Sequence, residues 1–141
     1  LKIAQVAAID TGDLATLGTA QIAALTTNQV ANGLTTDQIV ALTTNQVKAL
    51  GSAQIAALGT GQLAAMEIED VTALKTNQVA ALTTNQIANG LTTDQLVALT
   101  SSQIAALTTN QVANGLSTAQ IVALTSGQIN SLTSAQVGAL K

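Results

Sequence analysis

Apolar and polar positions alternate along this chain on a beat that fits neither a strand nor one long helix. With leucine taken as the first position, units of consensus L-[T/S/G]-T-x-Q-[I/V]-x-A begin at Leu1, Ile9, Leu17, Leu25, Leu34, Leu42, Leu50, Leu58, Met66, Leu74, Leu82, Leu91, Leu99, Leu107, Leu116, Leu124 and Leu132. That makes seventeen units, fourteen of eight residues and three of nine, with Leu140 and Lys141 opening the next. The third, fourth and seventh positions vary and accept polar residues: Asn28, Asp37, Ser102 and Gly61 at the fourth, Lys48, Thr72 and Gly138 at the seventh. Spacings of three and four place these on one stripe of a helix, which would face solvent. The apolar first, sixth and eighth positions mix odd and even places, so no strand face would be uniformly apolar.

The unit LTTDQIVA (34–41) reads as a helix start. Thr35 is placed to cap, its hydroxyl accepting from the N–H three residues on, while the Gln38 side chain reaches back to the Thr35 N–H. Leu34 before the cap and Ile39 at the fourth helical position form the matching hydrophobic staple. A single continuous helix is excluded, because eight residues overshoot two turns by about 80° and the leucine stripe would wander around the axis. The pattern therefore predicts one helix of about six residues per unit, roughly 9 Å long, with a corner at each Leu-Thr. Such a helix lies far below the roughly 12 residues needed for independent stability. Neighbouring units must hold it, so the expected architecture is all-α, a tight α-solenoid of very short helices. The alternative is a β-solenoid, which the strand preference of Thr and Val and the short period would suit.

A higher repeat lies above the unit. Residues 1–57 align without a gap on 58–114, so that Asp13 falls on Asp70 and Asp37 on Asp94. The nine-residue units end in Asn32-Gly33, Asn89-Gly90 and Asn114-Gly115. Glycine after a helix supplies a left-handed cap residue. The following units carry Val40, Val97 and Val122 at the otherwise variable seventh position. The expectation is that each insertion rotates the next helix and buries that valine, setting the pitch of the coil. No linker divides 1–141, which reads as a single repeat array cut from a longer protein.

Composition narrows the chemistry. The chain is 48% hydrophobic without one aromatic residue, and it has no Cys, no His and no Pro. Small aliphatic side chains suit thin regular layers. Four Lys, no Arg and seven acids give a net charge of −3, which leaves no basic surface for phosphates and no aromatic platform for bases, so nucleic acid is not an expected partner. No apolar run approaches the roughly 18 residues of a spanning helix, and membrane insertion is not expected. Without His, Cys, Arg or Tyr a nucleophile would need Lys, Asp or Glu for activation, and no such pair stands out from the repeat. No catalytic, cofactor-binding or metal site is assigned.

Three repeated features invite ligand readings. The glutamine row (Gln21, Gln29, Gln38, Gln46 and onward) could be an amide ladder for a ligand, but the capping box accounts for it. In the units that lack Gln, Asp13 and Asp70 stand in, accompanied by Asp10 and Glu67 at the cap position, where acids favour the helix dipole. Asp10, Asp13, Glu67, Glu69 and Asp70 are also the candidate oxygen ligands for calcium, although no EF-hand loop accompanies them. The Thr-Thr pairs, such as Thr26-Thr27 and Thr83-Thr84, could form hydroxyl rows like those of ice-binding repeat proteins, but capping claims one Thr of each pair. Lys48 and Lys75 are placed on the solvated face.

Over nine residues, LTTDQIVAL resembles the first helix of TAL-effector repeats. The base-reading loop and second helix of those repeats are missing, so DNA binding does not carry over. Over its whole length, including the variant stretch AAMEIEDVTAL (64–74), the chain resembles the ALTTxQVAAL arrays of very large bacterial surface and secreted proteins labelled haem utilisation or adhesion. That resemblance implies an extracellular or cell-surface stalk or adhesive segment of a larger protein. Haem finds no ligand here beyond the lone Met66. The expected function is a non-enzymatic spacer or adhesive module. The alternatives are a protein- or glycan-binding surface formed by the variable positions, and an engineered scaffold with no native ligand. Terminal units without polar caps are expected to expose Leu or Val and to associate end to end.

Overall fold

A computed structural model describes all 141 residues. It contains seventeen α-helices and no strand. The first six are α1 (Ile3–Ala7), α2 (Thr11–Thr16), α3 (Thr19–Ala23), α4 (Thr27–Gly33), α5 (Thr36–Ala41) and α6 (Thr44–Ala49). Next come α7 (Ser52–Ala57), α8 (Thr60–Ala65), α9 (Ile68–Ala73), α10 (Thr76–Ala81), α11 (Thr84–Asn89) and α12 (Thr93–Ala98). The last five are α13 (Ser101–Ala106), α14 (Thr109–Asn114), α15 (Thr118–Ala123), α16 (Ser126–Ser131) and α17 (Ser134–Ala139). Every helix begins on the third position of its unit. The second position caps it in extended backbone, as at Thr35 (φ −78°, ψ 164°), and the next leucine leaves it extended, as at Leu42 (φ −62°, ψ 139°). Two extended residues thus make each corner.

Each helix packs against the one three places before it, from α1 with α4 to α14 with α17. The chain is therefore a helical solenoid in which three helices close a turn and successive turns stack. One continuous apolar core runs along it. Sixth-position residues such as Ile39, Ile55, Leu63, Ile87 and Leu96 lose nearly all contact with water, and the leucines of the corners from Leu34 to Leu107 line the same core. Burial of that aliphatic surface, about 25 cal/mol per Å², holds helices that would not persist alone. The third and fourth positions face outward, among them Thr36, Asp37, Thr93 and Asp94, and so do Lys48 and Lys75.

The Asn-Gly insertions differ from expectation in two respects. No glycine has positive φ, and Gly90 and Gly115 stay right-handed at φ −101° and −98°. Instead the extra residue widens the last helical turn, so that Leu91 N–H donates to the Gln86 carbonyl five residues back at 2.9 Å, as Leu34 does to Gln29 and Leu116 to Gln111 at 3.0 Å. Glycine is required by close approach. A Cβ at Gly90 would lie 2.5 Å from the Gln86 oxygen and 3.0 Å from Leu63 on the turn before, and one at Gly33 would lie 3.2 Å from the Val6 Cβ. Nor are the following valines buried: Val40, Val97 and Val122 are 43%, 38% and 83% exposed. The widened turn absorbs the insertion, while the sixth position still fixes which face of the next helix turns inward.

Candidate functional site

The repeated glutamine is the most engaged polar group in the molecule. In α5, Gln38 Oε1 accepts from the Thr35 N–H at 2.9 Å, and Gln38 N–H donates to Thr35 Oγ1 at 3.2 Å, which completes the capping box. The same side chain then donates from Nε2 to the carbonyls of Val6 and Ile9, both at 2.8 Å, at the end of α1 and the corner after it. Sequence reasoning reached the first half of this arrangement and missed the second. Gln46 donates likewise to Leu14 and Leu17, Gln95 to Leu63 and Met66, and Gln136 to Ile104 and Leu107. Each amide therefore caps its own helix and clasps the helix four units earlier. Twelve glutamines are buried, and no buried side-chain nitrogen or oxygen lacks a partner. An isolated buried amide would be costly, whereas one with every hydrogen bond made rigidifies the core. A ligand-binding ladder would need free amides, and every buried amide nitrogen already has a carbonyl partner.

The acidic units depart from this scheme. Asp10 caps α2 through a bond from the Gly12 N–H at 2.8 Å, one residue earlier than the threonines do. Glu67 makes no side-chain cap on α9, and neither Asp13 nor Asp70 reaches back to complete a box. Lacking a methylene, an aspartate falls short of the N-cap N–H that glutamine reaches. The substitute box expected at these units is therefore not formed. Asp70 is only 3% exposed as a residue. Its side chain makes no hydrogen bond within the protein, and the exposure it retains lies at the carboxyl oxygens, since no fully buried side-chain oxygen lacks a partner. Burial, then the charges of Glu67 and Glu69, push its carboxyl up to about 6. Asp10 and Asp13 lie on the turn of α2, and Glu67, Glu69 and Asp70 on that of α9, so the two acidic sets are not brought together, and no group of three converges to hold a metal ion.

Two hollows mark the surface. An open groove of about 620 Å³ runs between Met66, Glu67, Ile68 and Glu69 on one side and Thr92 and Asp94 on the other. At the first turn, an apolar hollow of about 300 Å³ is lined by Leu1, Val6, Ile9, Leu14, Leu17 and Leu25. The opposite end exposes Val122, Ile129 and Val137. No helix is long and apolar enough to cross a membrane.

Short helices stacked by three and clasped by glutamine define a structural repeat module of the helical solenoid class. The chain belongs to the ALTTAQ repeat family, whose model matches residues 6–44, 39–67, 63–101, 89–114 and 114–141. No curated protein and no solved structure matches it.

Proposed function

We propose that this array is a non-enzymatic spacer, a stalk or adhesive segment of a larger surface or secreted bacterial protein. The observation that carries the reading is the clasp of each unit to the one four units earlier. Such a design sets length by repeat number and places no demand on distant sequence. Duplicating residues 58–114 within the chain is expected to lengthen the particle in small-angle X-ray scattering at constant cross-section; a thickened or globular particle would sink the spacer role. Antibody against the array should label intact producing cells, and labelling only after lysis would contradict the surface location.

End-to-end association belongs to the same proposal. The first turn offers an apolar hollow lined by Leu1, Ile9, Leu14 and Leu17. The last turn offers the exposed side chains of Ile129 and Val137. Light scattering should show mass rising with concentration, with Val137→Lys abolishing the rise. A monomer at all concentrations would end this part of the proposal. A second reading, a protein- or glycan-binding surface, draws on the open acidic groove beside Met66. A glycan array or pull-down whose signal is lost in Glu67→Gln/Glu69→Gln would favour it.

A further inference from the structure

The three nine-residue units share a bond that neither capping nor clasping uses. Each carries an asparagine at the fourth position and another before its glycine, and the two side chains meet. Asn32 Nδ2 donates to Asn28 Oδ1, Asn89 to Asn85 and Asn114 to Asn110, all at 2.7 Å. An asparagine followed by glycine is chemically labile, because a residue without a side chain leaves its backbone nitrogen free to attack the neighbouring carboxamide. Here Asn32, Asn89 and Asn114 are exposed to water, whereas Gly33, Gly90 and Gly115 are buried. The N–H groups of Gly90 and Gly115 donate to the Gln86 and Gln111 carbonyls at 2.8 Å. The bond to the asparagine four residues earlier draws each carboxamide back over the preceding turn, while the glycine nitrogen lies on the C-terminal side. Attacking nitrogen and target carbon are each tied to a different partner.

We propose that Asn32, Asn89 and Asn114 are self-modification sites that the closed coil holds shut and an opened turn releases, the carboxamide being tied by the asparagine four residues before it and the glycine nitrogen by its helical bond. The step needs only the chain and solvent water. With the turn open, the Gly90 nitrogen attacks Asn89 Cγ and a C–N bond forms. The glycine N–H proton passes through solvent to the departing amino group, which leaves as ammonia, and a five-membered imide remains. Water then adds to one of the two imide carbonyls and breaks its bond to nitrogen. The product is aspartate, or isoaspartate with the backbone running through the side-chain methylene; no atom is oxidised or reduced. Neither product suits the place it left. A new carboxylate at the end of α11 meets the negative pole of that helix. Isoaspartate lengthens the backbone by one carbon where a single Cβ added to Gly90 would already lie 3.0 Å from Leu63. Opening of such a turn is thereby recorded permanently in the chain.

Substitution at the fourth position tests this without touching an Asn-Gly pair, and Ala53, Ala119, Asp37 and Asp94 already occupy that place in other units. The full chain is held at neutral pH, and conversion at each Asn-Gly is followed by peptide mass spectrometry beside the same chain unfolded in urea. Asn89 should convert in the folded chain about twentyfold more slowly than in urea, or slower still, two net hydrogen bonds at about fivefold each. Asn85→Ala should raise the folded rate at Asn89 about fivefold and leave Asn32, whose partner is intact, at the parent rate. Asn85→Asp keeps an acceptor oxygen for the Asn89 amide and should hold the parent rate. Asn110→Ala repeats the comparison at Asn114. Amide exchange at Ile87 should stay level in Asn85→Ala. Equal rates in the folded chain and in urea overturn the proposal. So does an Asn85→Ala rate no higher than the parent's, an Asn85→Asp rate as high as that of Asn85→Ala, or a rise in exchange at Ile87 that matches the rise in conversion.

Discussion

At α12, Gln95 accepts from the Thr92 N–H at 2.9 Å, is bonded through its own N–H to Thr92 Oγ1, and donates to Leu63 and Met66 on the turn before. Against it packs α9, where Asp70 does none of these things. Both helices nevertheless run six residues, and both bury their sixth-position side chain completely, Leu96 in one and Val71 in the other. The difference separates two jobs that the consensus unit combines. Burial of the sixth position suffices to make the helix; the glutamine decides how firmly one turn holds the next.

That separation can be broken by substitution. Leu96→Ala should be the most damaging change, at about 2–5 kcal/mol in urea melts, because no other side chain can fill the core at that level. Gln95→Ala follows at about 2–4 kcal/mol, the consequence of leaving the Met66 carbonyl and the Thr92 N–H without partners and the Leu63 carbonyl with only its backbone bond from the Met66 N–H. Gln95→Glu sharpens the point. A capping box accepts either residue, so a cost close to that of Gln95→Ala shows that the donated hydrogens matter, and a neutral result would reduce the residue to a cap. Thr92→Ala removes only the cap acceptor and should cost about 1 kcal/mol. Asp70→Ala at pH 8 should lie within about 0.5 kcal/mol of the parent or above it in stability. A loss as large as that of Gln95→Ala would show that Asp70 holds its turn after all.

Much of this architecture was legible in the spacing. Thr35 and Gln38 announce a helix start, the eight-residue period forbids a continuous helix, and the polar third and fourth positions mark the outside face. The clasp between turns was not read from it, yet a signal was present. The fifth position is Gln in fifteen units and Asp in two, and never Glu. A residue that only capped would be free to be Glu, so the strict amide already required a donor for something outside its own helix. The Asn-Gly units misled for a different reason. Local preference points to a left-handed glycine, but the neighbour across the stack, Leu63 in the case of Gly90, leaves no room for a Cβ. Only the packed turns reveal that contact. Glu67 failed as a cap and Asp70 as a substitute for glutamine because side-chain length, which a pattern of polarity does not record, decides whether each bond can form.

The direction of the clasps has a consequence for how the protein is made. Each glutamine from Gln29 onward reaches backward, to carbonyls 28 to 33 residues nearer the N-terminus, as Gln29 does to Leu1 and Gln120 to Ile87. When the ribosome delivers a donor, its acceptors already exist, and no unit waits on more than the few units that follow it. Because that separation stays the same as units are added, the coil can wind itself up behind the emerging chain, one turn laid on the last, however long the array becomes.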